Sequence, residues 1–244
     1  MKRLSAFVLA GLCCALLPRV ARADDPLGTE PRPAVGLEAL ERPTGMAEVG
    51  FGWLTLPGAA ICIARQGAGC SRGDTSFEVD VWLLYRSNRR FAFGAGVLLG
   101  LVPTTDPPKE GAQSQRDHSR RYMTLESTAR YYPYVGRNVE WWVGITGGMV
   151  VVSDSFSAPS QSGPDRELLD PSGVTLRTEG GTLGLATGAV VALTPAFTAG
   201  ATLRYGQWFL PDKPARDPFK SEASLTGSNV VLSLGVNLAY RISL

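Results

Sequence analysis

Histidine is all but missing from this chain, with one in 244 residues, and cysteine is scarce, with four. Cys13 and Cys14 fall in the opening segment, which leaves Cys62 and Cys70. A protein-held transition metal draws on several Cys, His or carboxylate ligands close together, so no metal and no cofactor is expected. Lysine past the start is limited to Lys109, Lys213 and Lys220, and arginine carries nearly all the positive charge without forming a run. That excludes the basic footprint of a nucleic-acid binder. Apolar runs of helical length are also lacking. Leu4 to Leu17 is too short to span a bilayer. Gly180 to Leu203 is uncharged, but Thr194-Pro195 interrupts it and its apolar residues fall on alternate positions on both sides, which reads as strand, turn, strand. What is abundant is glycine, 28 residues without a period of three, which excludes collagen; 44% hydrophobic residues exclude wholesale disorder.

The opening reads as a secretory signal peptide over residues 1–23. Lys2 and Arg3 precede the apolar run, and Ala21-Arg22-Ala23 has the small-x-small form of a cleavage site. Removal of Lys2, Arg3, Arg19 and Arg22 with it moves the formal charge from +2 to −2. Residues 24–46, rich in Pro, Glu and Gly, read as an extended periplasmic leader. An exported Cys62–Cys70 pair reads as a disulfide closing a short loop.

From residue 47 to 244 the sequence alternates. Val49, Phe51 and Trp53 are apolar, with glycines between them. Phe77 to Tyr85 and Phe91 to Leu101 repeat the pattern, and further stripes run through Met123 to Tyr131, Trp141 to Met149, Leu183 to Leu193, Phe197 to Tyr205 and Val230 to Ile242. Period two means strand. Eight such strands are joined by connections that alternate long and short. The short ones lie at Ser87 to Arg90, Pro133 to Asn138 and Thr194-Pro195, so the long loops share one end. The expectation is an all-β, eight-stranded, antiparallel up-and-down barrel.

The non-apolar face is crowded with glycine and carries charges of both signs: Glu48, Glu78, Asp80, Glu126 and Glu140 against Arg86, Arg130, Arg204 and Arg241. Small residues and pairable charges suit a narrow interior, whereas eight uncharged apolar stripes closed into a ring need an apolar solvent. Strands of about ten residues match a hydrocarbon layer of about 25 Å. Tyr85, Phe91, Phe93, Tyr131, Trp141, Phe197 and Tyr240 sit on the apolar face near short turns, as a periplasmic aromatic girdle. Glu78, Asp80, Glu126, Arg130 and Arg204 are expected to form a lumen charge network that plugs the barrel. If the faces were reversed, the chain would instead be a soluble, lipocalin-like carrier.

Signal peptide, eight strands, short and long connections, and a last strand that is apolar at every even position back from Leu244 together resemble the small outer-membrane barrels of the OmpA/OmpX/OmpW-like superfamily. That resemblance implies an integral protein of the cell outer membrane with both termini periplasmic. It implies contact with outer-membrane lipid and delivery by the barrel-assembly machinery. The terminal Leu stands where such strands often end in an aromatic. Some barrels of this class are enzymes, and His118, within Asp117-His118-Ser119, is the one histidine to test. Neighbours on a strand point to opposite faces, so Ser119 cannot serve His118, which reads as a solvated loop residue. No enzyme activity is expected; a Ser or an acid within reach of His118 would reopen that reading. Asp165, Glu167 and Asp170 read as solvated loop acids rather than calcium ligands. The first functional expectation is a structural or surface-interaction barrel, with a plugged lumen and an extracellular partner met by its loops. A narrow channel for small or apolar solutes comes second, and a lipid-modifying enzyme third.

Overall fold

The computed structural model describes residues 43–61, 71–100, 104–106, 117–157, 173–216 and 222–243. The proposed signal peptide, most of the leader and both Cys62 and Cys70 lie outside them. Eight strands form the barrel: β1 (Thr44–Thr55), β2 (Thr75–Arg86), β3 (Phe91–Gly100), β4 (Asp117–Val135), β5 (Val139–Ser157), β6 (Gly173–Ala192), β7 (Phe197–Phe209) and β8 (Ser228–Ser243). Each pairs antiparallel with the next, and β8 returns to β1, so the sheet closes. Closure leaves no barrel edge with unpaired backbone groups, which a lipid environment requires. Outside the ring, Ala60–Ile61 pairs with Ser71–Arg72, and Thr104–Asp106 lies along β4.

The stagger of the barrel follows from its register. The row Thr44, Arg86, Ala92, Arg130, Gly144, Ala186, Arg204, Ser233 passes once around the ring and meets β1 again at Leu54, ten residues further on. With strands ~4.8 Å apart and a rise of ~3.3 Å per residue, that stagger tilts the strands by about 40°.

Local chemistry explains the short turns. Asn88 Oδ1 accepts from the backbone N–H groups of Arg90 and Phe91 at 2.8 and 3.0 Å. Thr194 Oγ1 accepts from the Phe197 N–H at 2.9 Å. Both are side chains that mimic a backbone turn. The register slips between Tyr131 and Tyr134, where Pro133 has no N–H to give. Gly180 to Leu203 is indeed divided between β6 and β7, joined by a turn.

Four strand ends differ from the sequence reading. β1 begins at Thr44, three residues inside the expected leader, because Thr44 and Met46 point inward and only Gly45 stands between them. β5 runs on to Ser157, and β4 and β6 start at Asp117 and Gly173, inside segments read as loop. On β5 the alternation reverses phase. Up to Met149 the apolar side chains other than Trp142 point out; beyond it Val150, Val152 and Phe156 are buried inside while Ser153 and Ser155 face outward. The same strand passes from lipid into water, and its apolar face changes sides.

Candidate functional site

The outside of the barrel is apolar and open. Leu83 and Trp53 are 67% and 62% exposed, and Leu183, Leu185, Leu234 and Val236 are about as bare. The girdle residues Tyr85, Phe91, Phe93, Tyr131, Trp141, Phe197 and Tyr240 are all exposed on this surface near the short turns. Phe91 packs on Tyr131 and Phe197 on Tyr240, with ring centroids 5.2 and 5.0 Å apart. Tyr134, paired with Trp141, joins the same band. The bulge hid it, because it shifts Tyr134 off the odd positions that the rest of β4 turns outward.

The lumen is built in tiers. Nearest the short turns, Glu140 receives Arg86 at 2.8 Å and Arg241 at 2.9 and 3.2 Å, and Arg86 stacks over Tyr132 at 4.0 Å. Above it, Arg130 grips Glu48 through both guanidinium nitrogens, at 2.9 and 3.0 Å, between the rings of Trp142 at 4.1 Å and Trp82 at 5.7 Å. Trp82 lies over Gly96 on the paired strand, and Trp142 over Gly188, where an added Cβ would meet ring atoms at 2.7 Å. These glycines are small because tryptophans lie across them. In the next tier Arg204 pairs with Glu126 and stands 3.6 Å from Glu78.

The five charged residues singled out from the sequence all belong to strands that line this interior. Glu78, Glu126 and Arg204 meet one another, and Arg130 instead takes Glu48, 82 residues away. Asp80 makes no close ion pair among the described residues, but its carboxylate, lying against Gly50, accepts a hydrogen bond from Trp82 and is attracted by Arg204 and Arg130. Small cavities remain among the described residues. One of about 10 Å³ is lined by Glu48, Asp80, Trp82, Arg130, Trp142 and Arg204. One of about 20 Å³ lies among Leu54, Leu98, Glu126, Arg204 and Trp208. Each has room for about one water.

Above the charges the lumen turns apolar. Leu54, Leu98, Tyr122, Val150, Val152 and Trp208 form a core that also takes in Leu56, Leu210 and Leu225 from the connections. The connection between β7 and β8 folds back into the mouth and buries Ala223, Ser224 and Leu225. Its neck is closed by Leu210 N–H to Gly227 O at 2.9 Å and Gly227 N–H to Pro211 O at 3.1 Å, with Gly227 at φ +65°.

His118 is not solvated. It is 2% exposed, stacks on Phe156 at 4.7 Å, and its Nε2 lies 2.7 Å from Asp154 Oδ1. Ser224 donates its hydroxyl to the same carboxylate oxygen at 2.5 Å and its backbone N–H to Oδ2 at 3.1 Å. A Ser, a His and an Asp thus meet, but the serine proton goes to Asp154, and all three residues are buried. A nucleophilic triad needs the imidazole as base to the hydroxyl and an open approach for substrate. Here Asp154 is a clasp that ties the inserted connection to β4 and β5. Beside it, Tyr122 and Arg120 both donate to Asp74.

No protein-family model matches the sequence, and no curated protein matches it. Solved structures do. A major outer membrane protein from Thermus thermophilus aligns over 82% of this chain and 99% of its own, at 15% identity and a TM-score of 0.55. Neisserial surface protein A covers 82% and 97%, at 13% identity and a TM-score of 0.47. Ail of Yersinia pestis covers 83% and 99%, at 11% and 0.43. Identities this low speak for the fold alone. The apolar exterior, the charged interior and the closed eight-stranded ring give this chain the fold of an outer-membrane β-barrel.

Proposed function

We propose that this barrel works at the cell surface through its long-loop end, as a structural or interaction protein, and does not conduct solutes. The observation that carries this reading is the filled lumen. Three charge tiers, an apolar core and a connection folded into the mouth leave cavities with room for about one water each. Ligand-sized sites are of the order of 300 Å³ or more. The buried clasp at His118, Asp154 and Ser224 supports a structural rather than an enzymatic mouth. An extracellular partner of the loops and delivery by the barrel-assembly machinery belong to the same proposal.

The test is conductance in planar bilayers. The expected result is a silent membrane at protein levels where folded barrel is shown to be inserted. Stable, stepwise currents would contradict it and favour the second reading, a narrow channel. One feature favours that second reading: Asp80, a carboxylate without an ion pair among the described residues, lines the cavity beside Arg204, where a small cation or water would pass. Asp80→Asn should then change the current, and on the first reading it changes nothing.

A further inference from the structure

We propose that Arg121 and Arg177 form a site on the outside of the barrel for the phosphates of an anionic glycolipid in the outer leaflet. Among strand residues whose side chains are described, the outward face carries charge at three positions only, Arg121, Arg177 and Glu179. All three lie on β4 and β6, with β5 between them. Arg121 pairs across to Ser153, and Ser153 to Arg177, so one row joins the two arginines. Both are exposed, and neither makes an ion pair or hydrogen bond among the described residues.

Their height gives the ligand. Arg121 lies ten residues along β4 from the girdle residue Tyr131. At ~3.3 Å per residue and ~40° tilt, that is about 25 Å, the thickness of the apolar band. Because paired rows climb the tilted barrel, Arg177 stands about 6 Å further out, two strand spacings away. With the short turns on the periplasmic side, both fall in the outer headgroup layer, where the phase of the alternation has just reversed and Ser119, Ser153, Ser155 and Thr175 flank them. Two arginines with backbones about 10 Å apart can reach the phosphates of one phosphorylated saccharide headgroup, each by charge-assisted hydrogen bonds. Glu179, two residues below Arg177, stands about level with Arg121, because two residues along the tilted strand descend about 5 Å. Two arginines at the opposite end differ. Arg89 donates to the Val135 carbonyl, and Arg90 to the Pro133 carbonyl and the Tyr131 hydroxyl.

The full chain in phosphatidylcholine nanodiscs, doped with either diphosphoryl lipid A or phosphatidylglycerol, is extracted into mild detergent. Retained lipid is then counted by native mass spectrometry. Wild type should retain diphosphoryl lipid A, and Arg121→Gln and Arg177→Gln should each lower that retention about tenfold. Arg137→Gln, at an exposed short turn, should leave it unchanged. Gel mobility in cold SDS confirms that each variant is folded. Equal retention by wild type and the double variant would overturn the site, as would a loss in Arg137→Gln. Equal retention of phosphatidylglycerol would overturn the glycolipid as its ligand.

Discussion

The two halves of the lumen are filled by different physics. The half nearest the short turns is held by ion pairs between strands: Arg86, Glu140 and Arg241, then Glu48 with Arg130, then Arg204 with Glu78 and Glu126. The half nearest the long loops is an ordinary apolar core, from Leu54 to Trp208, closed by Leu225 from a connection and clasped by Asp154. In the first half every ion pair is made by residues the strands themselves place. In the second, the strands provide a cup and the connections supply its contents. The inner half therefore cannot change without breaking the barrel, whereas the outer half can loosen while the barrel stays closed.

The largest expected effect comes from breaking a charge in the inner half. Glu48→Ala strands the Arg130 guanidinium, which is 4% exposed, between two tryptophans. Removing one partner of such a pair costs about 3–5 kcal/mol. Urea titration in detergent should show a lower midpoint. Replacing both Glu48 and Arg130 by Met should recover most of the loss, since a buried pair can be exchanged for apolar residues at little cost.

In the outer half, Leu225→Ala opens a cavity worth about 2–5 kcal/mol if the site cannot collapse. The effect should appear as faster proteolysis between residues 211 and 227, with the cold-SDS mobility of the barrel retained. If the barrel itself melts instead, the division into two halves is wrong. Gly188→Val should cost about 1–3 kcal/mol or more, because the added carbons run into both the Trp142 ring and the Ala201 carbonyl on the paired strand. A shift in the emission of that tryptophan would report it. The smallest effect is expected from Ser224→Ala, about 1–2 kcal/mol for two acceptor sites on Asp154 left with one donor fewer. It should be readable only as amide exchange in the same connection.

The same division decides what the sequence made legible. Period-two alternation is local, so the eight strands, their short turns and the inward direction of Glu78, Glu126, Arg130 and Arg204 could be read residue by residue. Which charge meets which could not. Arg130 finds Glu48 only through the ten-residue stagger of the closed ring, which no single strand contains. Asp80 likewise feels Arg204 and Arg130 from other strands of the ring, without a close ion pair among the described residues. The outer half was hidden further, because Ala223, Ser224 and Leu225 have no periodicity to announce their burial. His118 likewise looked like a loop residue, since the strand carrying it changes its apolar face where it leaves the lipid.

The central claim is that the apolar face meets lipid and the charged face meets itself. The chain carries its own probes, for its five tryptophans divide between the two faces. Trp53 and Trp141 are exposed outside, and Trp82, Trp142 and Trp208 are buried inside. Single-tryptophan variants in vesicles with brominated acyl chains test the claim directly. Trp53 and Trp141 should be strongly quenched, and Trp82, Trp142 and Trp208 should not. Quenching of Trp142 but not of its neighbour Trp141 would turn the barrel inside out and contradict the account.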